Sequence, residues 1–322
     1  MINSSIGQVA ERKRHSSLFN FVKRLVKEKP LGTVGAAITL LLLLVGIFAG
    51  FLAPYGMNES TADLLARPSV IHWFGTDNLG RDILSRVIYG ARISVIVGLA
   101  ASALSVITSA IIGTLSGYLG GIVDLVMQRF VDAVMSIPGI ILMMVIISLI
   151  GPGMWQIIIV LGLQLGIIGS RILRSAVIAI RQNVYIDAAK AIGSSHSRMI
   201  INHILPNIMA PIIVLFSTVL PSVILIEASL SFLGYGIPAP APSWGGMLSG
   251  NGRTYMFLAP WIVIWPGLAL SIVVYGVNIF GDALRDLLDP RLVGGSGRYE
   301  VKSKRLPSDK LLRRSKQNVR KS

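Results

Sequence analysis

The sequence predicts an all-α membrane protein of six transmembrane helices with both ends on the cytoplasmic side. Three observations carry that expectation. Of 322 residues, 53% are hydrophobic and 14% charged, and the mean hydropathy of +0.69 is far too high for a soluble domain of this length. Uncharged runs long enough to cross a hydrocarbon core of roughly 30 Å recur along the chain. Lys and Arg gather on one of the two sides those runs define.

The elements follow in order. Residues 1–30 form a basic tail. Leu31 to Ala53 is uncharged over 23 residues and makes the first span. It is too long for the apolar core of a signal peptide, and Phe51-Leu52-Ala53 lacks the small residues of a cleavage site, so the span is expected to stay in the mature chain. An external segment, 54–92, leads to Ile93–Val123, uncharged over 31 residues, the second span. A short inner connection carries Asp124, Arg129 and Asp132, expected to pair locally. Ala133 to Ser170 is uncharged over 38 residues, about 57 Å as a helix at roughly 1.5 Å per residue. Gly151-Pro152-Gly153 interrupts it midway, so it reads as a hairpin of spans three and four. Arg171 and Arg174 extend the fourth helix into the inner interface, where their heads are expected to reach headgroups. Asn207 to Leu233 holds the fifth span, interrupted by Glu227; an external loop, 234–257, precedes Met256 to Gly281, the sixth. The transmembrane domain is therefore 31–292, followed by a basic cytoplasmic tail, 293–322.

Charge placement tests this count. With a cytoplasmic start the inner segments hold 7, 1, 5 and 12 Lys or Arg and the outer ones 4, 0 and 1. Reading 133–170 as one span gives at best 21 inside against 9 outside, so six spans obey the positive-inside rule better. The net charge of +15 does not point to nucleic acid, because 19 of the 30 basic residues lie in 1–30 and 282–322, where acidic lipid headgroups are the natural partner.

Several function classes are excluded. The chain has no cysteine, hence no disulfide framework or thiolate metal site. No G-x-x-x-x-G-K-[ST] phosphate cradle is present, so ATP hydrolysis by that route must belong to another chain. Histidines 15, 72, 196 and 203 have no metal-ligand spacing. No cofactor is expected. Gly46 and Gly50, Gly113 and Gly117, and Gly162 and Gly166 have the small-xxx-small spacing of close helix contacts. Pro138, Pro211, Pro221 and Pro266 are expected to bend or break spans.

One polar stretch, 181–206, is too polar to cross lipid and has helical periodicity. Val184, Ala188, Ala191 and Ile192 form one apolar face opposite Asp187 and Lys190. Gly193 can take the left-handed conformation that ends this helix, and Ser194 or Ser195 can cap a second one carrying Met199, Ile200 and Ile204, which stops at Pro206. The result is a helix-turn-helix elbow.

The pattern Asp187-Ala188-Ala189, then Gly193, then Leu205-Pro206 resembles the EAA loop of permease subunits of ABC importers, with Asp187 where that family has Glu and with the His203-Ile204-Leu205-Pro206 form of its peptide, nickel and oligosaccharide branch. A second set, His72-Trp73-Phe74-Gly75-Thr76-Asp77-Asn78-Leu79-Gly80-Arg81-Asp82, resembles the Leu-Gly-Thr-Asp-x-x-Gly-Arg-Asp signature of the same branch, with Phe74 in place of its Leu. Glu227 to Gly234, Pro242 to Leu248 and Gly281 to Arg291 are similar to it too, so the likeness runs from about residue 30 to 292.

The resemblance implies the fold of a type I ABC importer permease in a prokaryotic cell membrane. It implies as partners a second homologous permease, two cytoplasmic ATPase subunits, an external solute-binding protein and membrane lipids. Tyr185, Asp187, Ala188, Ala189, Gly193, Leu205 and Pro206 would couple ATP hydrolysis to the spans. Asp77, Arg81, Asp82, Arg86 and Trp244 are candidates for contact with the binding protein or second permease, with salt bridging inside the segment as the other reading. Glu227 either lines the pathway or hydrogen-bonds an adjacent loop or helix end. Di- or oligopeptides are the leading cargo, with nickel or oligosaccharides also within the branch. An ion-coupled secondary transporter is the alternative from a different class; it would more naturally carry ionisable residues at mid-span, which spans two, three, four and six lack.

Overall fold

The computed structural model describes residues 17–61 and 63–288, and their regular structure is helical apart from two isolated antiparallel bridges, Ser60 to Arg81 and Thr76 to Asp82. Part of the basic N-terminal tail is itself a helix, α1 (Ser17–Glu28). Its Leu25 is buried with Ala283 and Leu287 near the C-terminal end of the described chain, and Lys29 just after it meets Asp286 at 2.5 Å. The sequence reading missed this element because its charged face dominates the composition. Asp289, Pro290, Arg291 and the C-terminal tail lie outside the described residues.

Helix α2 (Pro30–Ile47) starts on a proline whose absent N–H would be unpaired there anyway, and after a break at Phe48 α3 (Ala49–Leu52) completes the first apolar run. Helix α4 (Ile83–Leu119) is 37 residues long and begins ten residues before the expected second span. The reason is a cap: the Asp82 carboxylate accepts from the Ser85 backbone N–H at 2.8 Å and starts the helix inside the charged segment.

The third expected span differs most. Helices α5 (Gly121–Ser136) and α6 (Gly139–Ile150) meet at an 88° bend. Pro138 forces the preceding Ile137 into extended backbone (φ −96°, ψ 131°), so the helix cannot run through. Alone, the 12 residues of α6 reach only about 18 Å. Among the described residues, five helices are therefore long and apolar enough to cross a membrane, or six if the bent pair counts as one.

Helix α7 (Met154–Arg181) follows the Gly151-Pro152-Gly153 turn. Beyond α8 (Val184–Ala191) and the start of α9 (His196–Arg198), the chain does not stop at Pro206 as expected. It widens into a π-helical stretch, Met199–Ile204, tightens into a 3₁₀ turn, Leu205–Ile208, and continues as α10 (Met209–Phe232). A proline ring would clash with the carbonyl four residues back in a regular α-helix; changing the helical pitch around Pro206 accommodates it without ending the helix. Two short helices, α11 (Trp244–Leu248) and α12 (Asn251–Tyr255), precede α13 (Trp261–Leu288), which carries Pro266 inside it as α10 carries Pro221.

Small residues set the packing. A Cβ on Gly113 would sit 2.6 Å from the Ser170 carbonyl, and one on Gly166 2.8 Å from the Ser105 carbonyl, so each glycine pair lets α4 and α7 approach closely within one chain. Gly46 packs on Val95, whereas Gly50 meets only Arg92 at 3.8 Å.

Candidate functional site

Two candidate sites lie at opposite ends of α4, about 55 Å apart along that helix at roughly 1.5 Å per residue. At its C-terminal end sits the elbow. Gly193 has φ +83°, in the left-handed region, and the cap it forms is complete: Ser194 N donates to Ala189 O at 3.1 Å and Gly193 N to Lys190 O at 2.9 Å. Ser195 accepts from the Arg198 N–H and starts the next helix.

The elbow is anchored by Ile186, Met199, Ile204 and Ile208, all fully buried with Tyr118 of α4 and Val177 of α7. Tyr118 Oη also lies 3.0 Å from His196 Nδ1. Motion of α8 therefore has a packed route to the ends of α4 and α7. The face that periodicity picked out is not the one that packs inward. On α8 only Ile186 and Ala189 are buried; Val184 is 84% exposed, Ile192 85%, and Ala188 and Ala191 are exposed with them. Tyr185 is 44% exposed, and Asp187 is exposed with its carboxylate paired to Lys190 at 3.2 Å. Leu205 and Pro206 are exposed in the 3₁₀ turn.

At the N-terminal end of α4, the charged segment has folded in on itself. Asp77 Oδ1 accepts from the N–H groups of Leu79 and Arg81, and Oδ2 from Arg81 Nε at 2.7 Å. Asp82 accepts from Ser85 and lies 3.0 Å from His72 Nδ1, both side chains nearly fully buried. Arg86 Nη1 donates to the Met57 carbonyl at 3.2 Å. Asp77, Asp82 and Arg86 thus act as the frame of the segment; their burial at 6%, 3% and 7% exposure leaves little charge to present outward. The segment's exposed apolar side chains include Val70, Ile71 and Trp73, and they stand beside exposed Glu59, Asp63 and Arg67. Trp244 is likewise inside, its Nε1 donating to the Val87 carbonyl at 3.0 Å and its ring against Gly90.

Glu227 is 1% exposed and accepts from Ser231 Oγ, one turn on in α10, at 2.7 Å. Asp124 does not pair with Arg129. Arg174 reaches it from α7 with two bonds, at 2.6 and 2.5 Å, while Asp132 is shared by Arg171 and, at 3.5 Å, Arg129. The two arginines expected at headgroups instead clasp α5, because a guanidinium fork satisfies a nearby carboxylate better than an interface does. Sequence spacing could not find this, since the two pairs are 50 and 39 residues apart.

Long apolar helices packed closely through glycines, with an elbow that carries an outward apolar face at one end and a self-braced segment at the other, are the frame of a membrane protein built to meet partners. The chain belongs to the family of binding-protein-dependent transport system inner membrane components, whose model matches residues 109–294. It is 41% identical over 268 residues to the dipeptide transport system permease protein DppC of Alkalihalophilus pseudofirmus, covering 83% of this chain and 88% of that one. It is 38% identical to the probable D,D-dipeptide transport system permease protein DdpC of Escherichia coli (88% and 96% covered) and 37% identical to the oligopeptide transport system permease protein OppC of Bacillus subtilis (87% and 92%).

Proposed function

We propose that this chain is one of two permease subunits of an ATP-driven importer of di- or oligopeptides in a prokaryotic cell membrane. Six spans, with α5 and α6 together forming the third, leave both ends and the elbow in the cytoplasm and the segment 54–92 outside. The second permease is a related chain, two ATPase subunits grip the elbows, and an external binding protein delivers the peptide.

The observation that carries this reading is the outward stripe of Val184, Ala188, Ala191 and Ile192 on a helix anchored by Ile186 and Ala189. A rigidly seated helix with its apolar face in solvent is an unfilled contact, and a motor subunit fills it. Closure of the ATPase pair then pushes α8, and the buried cluster around Tyr118 and Val177 passes the push to α4 and α7. Asp187 and Lys190 flank the contact; Leu205 and Pro206 stiffen the return helix. The peptide cargo rests on the relatives and on the charged segment's likeness to their branch. Asp77, Arg81, Asp82 and Arg86 hold the outer surface in shape, and Val70, Ile71 and Trp73 supply contact area for the binding protein.

Cysteine placed at Ala188 is expected to cross-link to an ATPase subunit in the assembled transporter, and Ala188→Glu to leave the subunit in the membrane while abolishing peptide uptake. Uptake at the normal rate in Ala188→Glu, with no cross-link, would end this reading.

A further inference from the structure

The charged segment and the loop 234–257 enclose a cavity of about 370 Å³, within the range of small-ligand sites. Arg86 and Arg81 line it, with Asp77 their shared carboxylate. That carboxylate is spent. Arg81 takes its Oδ2 at 2.7 Å, and two backbone N–H groups take Oδ1, so Arg86 Nε is left 3.7 Å away, beyond hydrogen-bond reach.

Arg86 is only 7% exposed, and its hydrogen bond in the protein is to the neutral Met57 carbonyl. Two guanidinium groups thus share one carboxylate, Arg86 holding the longer ion pair, and the surplus positive charge is costly to bury unless a further anion completes it. The rest of the wall is glycine-rich backbone with its N–H and C=O groups, the Ser243 hydroxyl, and the apolar side chains of Ile83, Ile237, Met247 and Ile262; the Ser231 and Ser249 hydroxyls already donate to Glu227 and the Gly246 carbonyl.

We propose that this cavity binds the C-terminal carboxylate of a short peptide, with Arg86 as the group that receives it. The volume admits a dipeptide-sized ligand, not merely one acidic side chain, and an Arg–carboxylate bond needs nothing of the peptide's sequence. The inference rests on the peptide-import reading and adds a holding site on the permease itself.

The test uses the assembled transporter in nanodiscs without binding protein, and measures binding of a labelled tripeptide and of its C-terminal amide. The free acid is expected to bind at least about tenfold more tightly than the amide, a difference of about 1.4 kcal/mol. Arg86→Gln should erase that preference. Because Arg86 also holds Met57, a second variant spares it: Asn251→Glu puts another carboxylate on the exposed edge of the cavity and should erase the preference too. Equal binding of acid and amide by the unaltered transporter, no binding of either, or a preference that survives in both variants overturns the proposal. So does Arg86→Gln weakening attachment of the binding protein while leaving the acid-over-amide preference intact, which would assign the cavity to an acidic side chain of that protein. Binding-protein-dependent uptake, measured on the same preparation, separates the two readings: if uptake is absent the importer assignment fails, and if it is present only the cavity assignment is at stake.

Discussion

Replacing Gly193 tests whether the elbow works through its backbone conformation or through space. Its φ of +83° costs an L-residue about 1–2 kcal/mol, less for asparagine and more for a β-branched side chain. Among the described residues nothing lies within 4 Å of a Cβ built there, so a first side-chain carbon meets no obstacle among them. The full effect therefore falls on the cap made by the Ser194 to Ala189 and Gly193 to Lys190 bonds. A loss of 1–2 kcal/mol depopulates that cap by a factor of about 5–30. Peptide uptake should follow the left-handed preference, near normal for Gly193→Asn, several-fold lower for Gly193→Ala and about tenfold or more lower for Gly193→Val. ATP hydrolysis should persist in all three. The assay is uptake per ATP hydrolysed in proteoliposomes. If Gly193→Asn is as damaging as Gly193→Val, size against a partner and not backbone conformation governs the site, and this reasoning fails.

Gly113→Ala should destabilise the subunit by about 1–3 kcal/mol, because the new Cβ would press at 2.6 Å on a backbone carbonyl that cannot rotate away, whereas Gly50→Ala, with 3.8 Å of room, should be silent in a thermal-inactivation series. In a double-mutant cycle, Asp124→Asn and Arg174→Gln should show a coupling of about 1–2 kcal/mol, and Asp124→Asn with Arg129→Gln essentially none, since Arg174 alone makes the forked contact. Trp244→Phe removes the bond to the Val87 carbonyl and should lower unfolding stability by about 1 kcal/mol without altering binding-protein attachment, as befits a buried side chain.

The sequence by itself determined the class and the placement of nearly every apolar helix, because lipid demands long uncharged runs and basic residues mark their ends. Local chemistry also fixed the elbow's turn: Gly193 and Ser195 do what their backbone and hydroxyl allow, whatever surrounds them. Tertiary structure decided which side of each element faces in. Periodicity found the stripe Val184, Ala188, Ala191 and Ile192 but could not say that Ile186 and Ala189 would be the buried pair, since that depends on where Tyr118 and Val177 stand. The same holds for the charges. For Asp77 and Asp82 the sequence left outward contact and salt bridging inside the segment both open, and they are a buried frame because Arg81, His72 and the start of α4 supply them with donors. Asp124 left its near neighbour Arg129 for Arg174 for the same reason: a forked bond from a packed helix outweighs a single contact with an exposed side chain nearby in sequence. Spans follow from composition, which is local; partners follow from packing, which only the folded chain brings about.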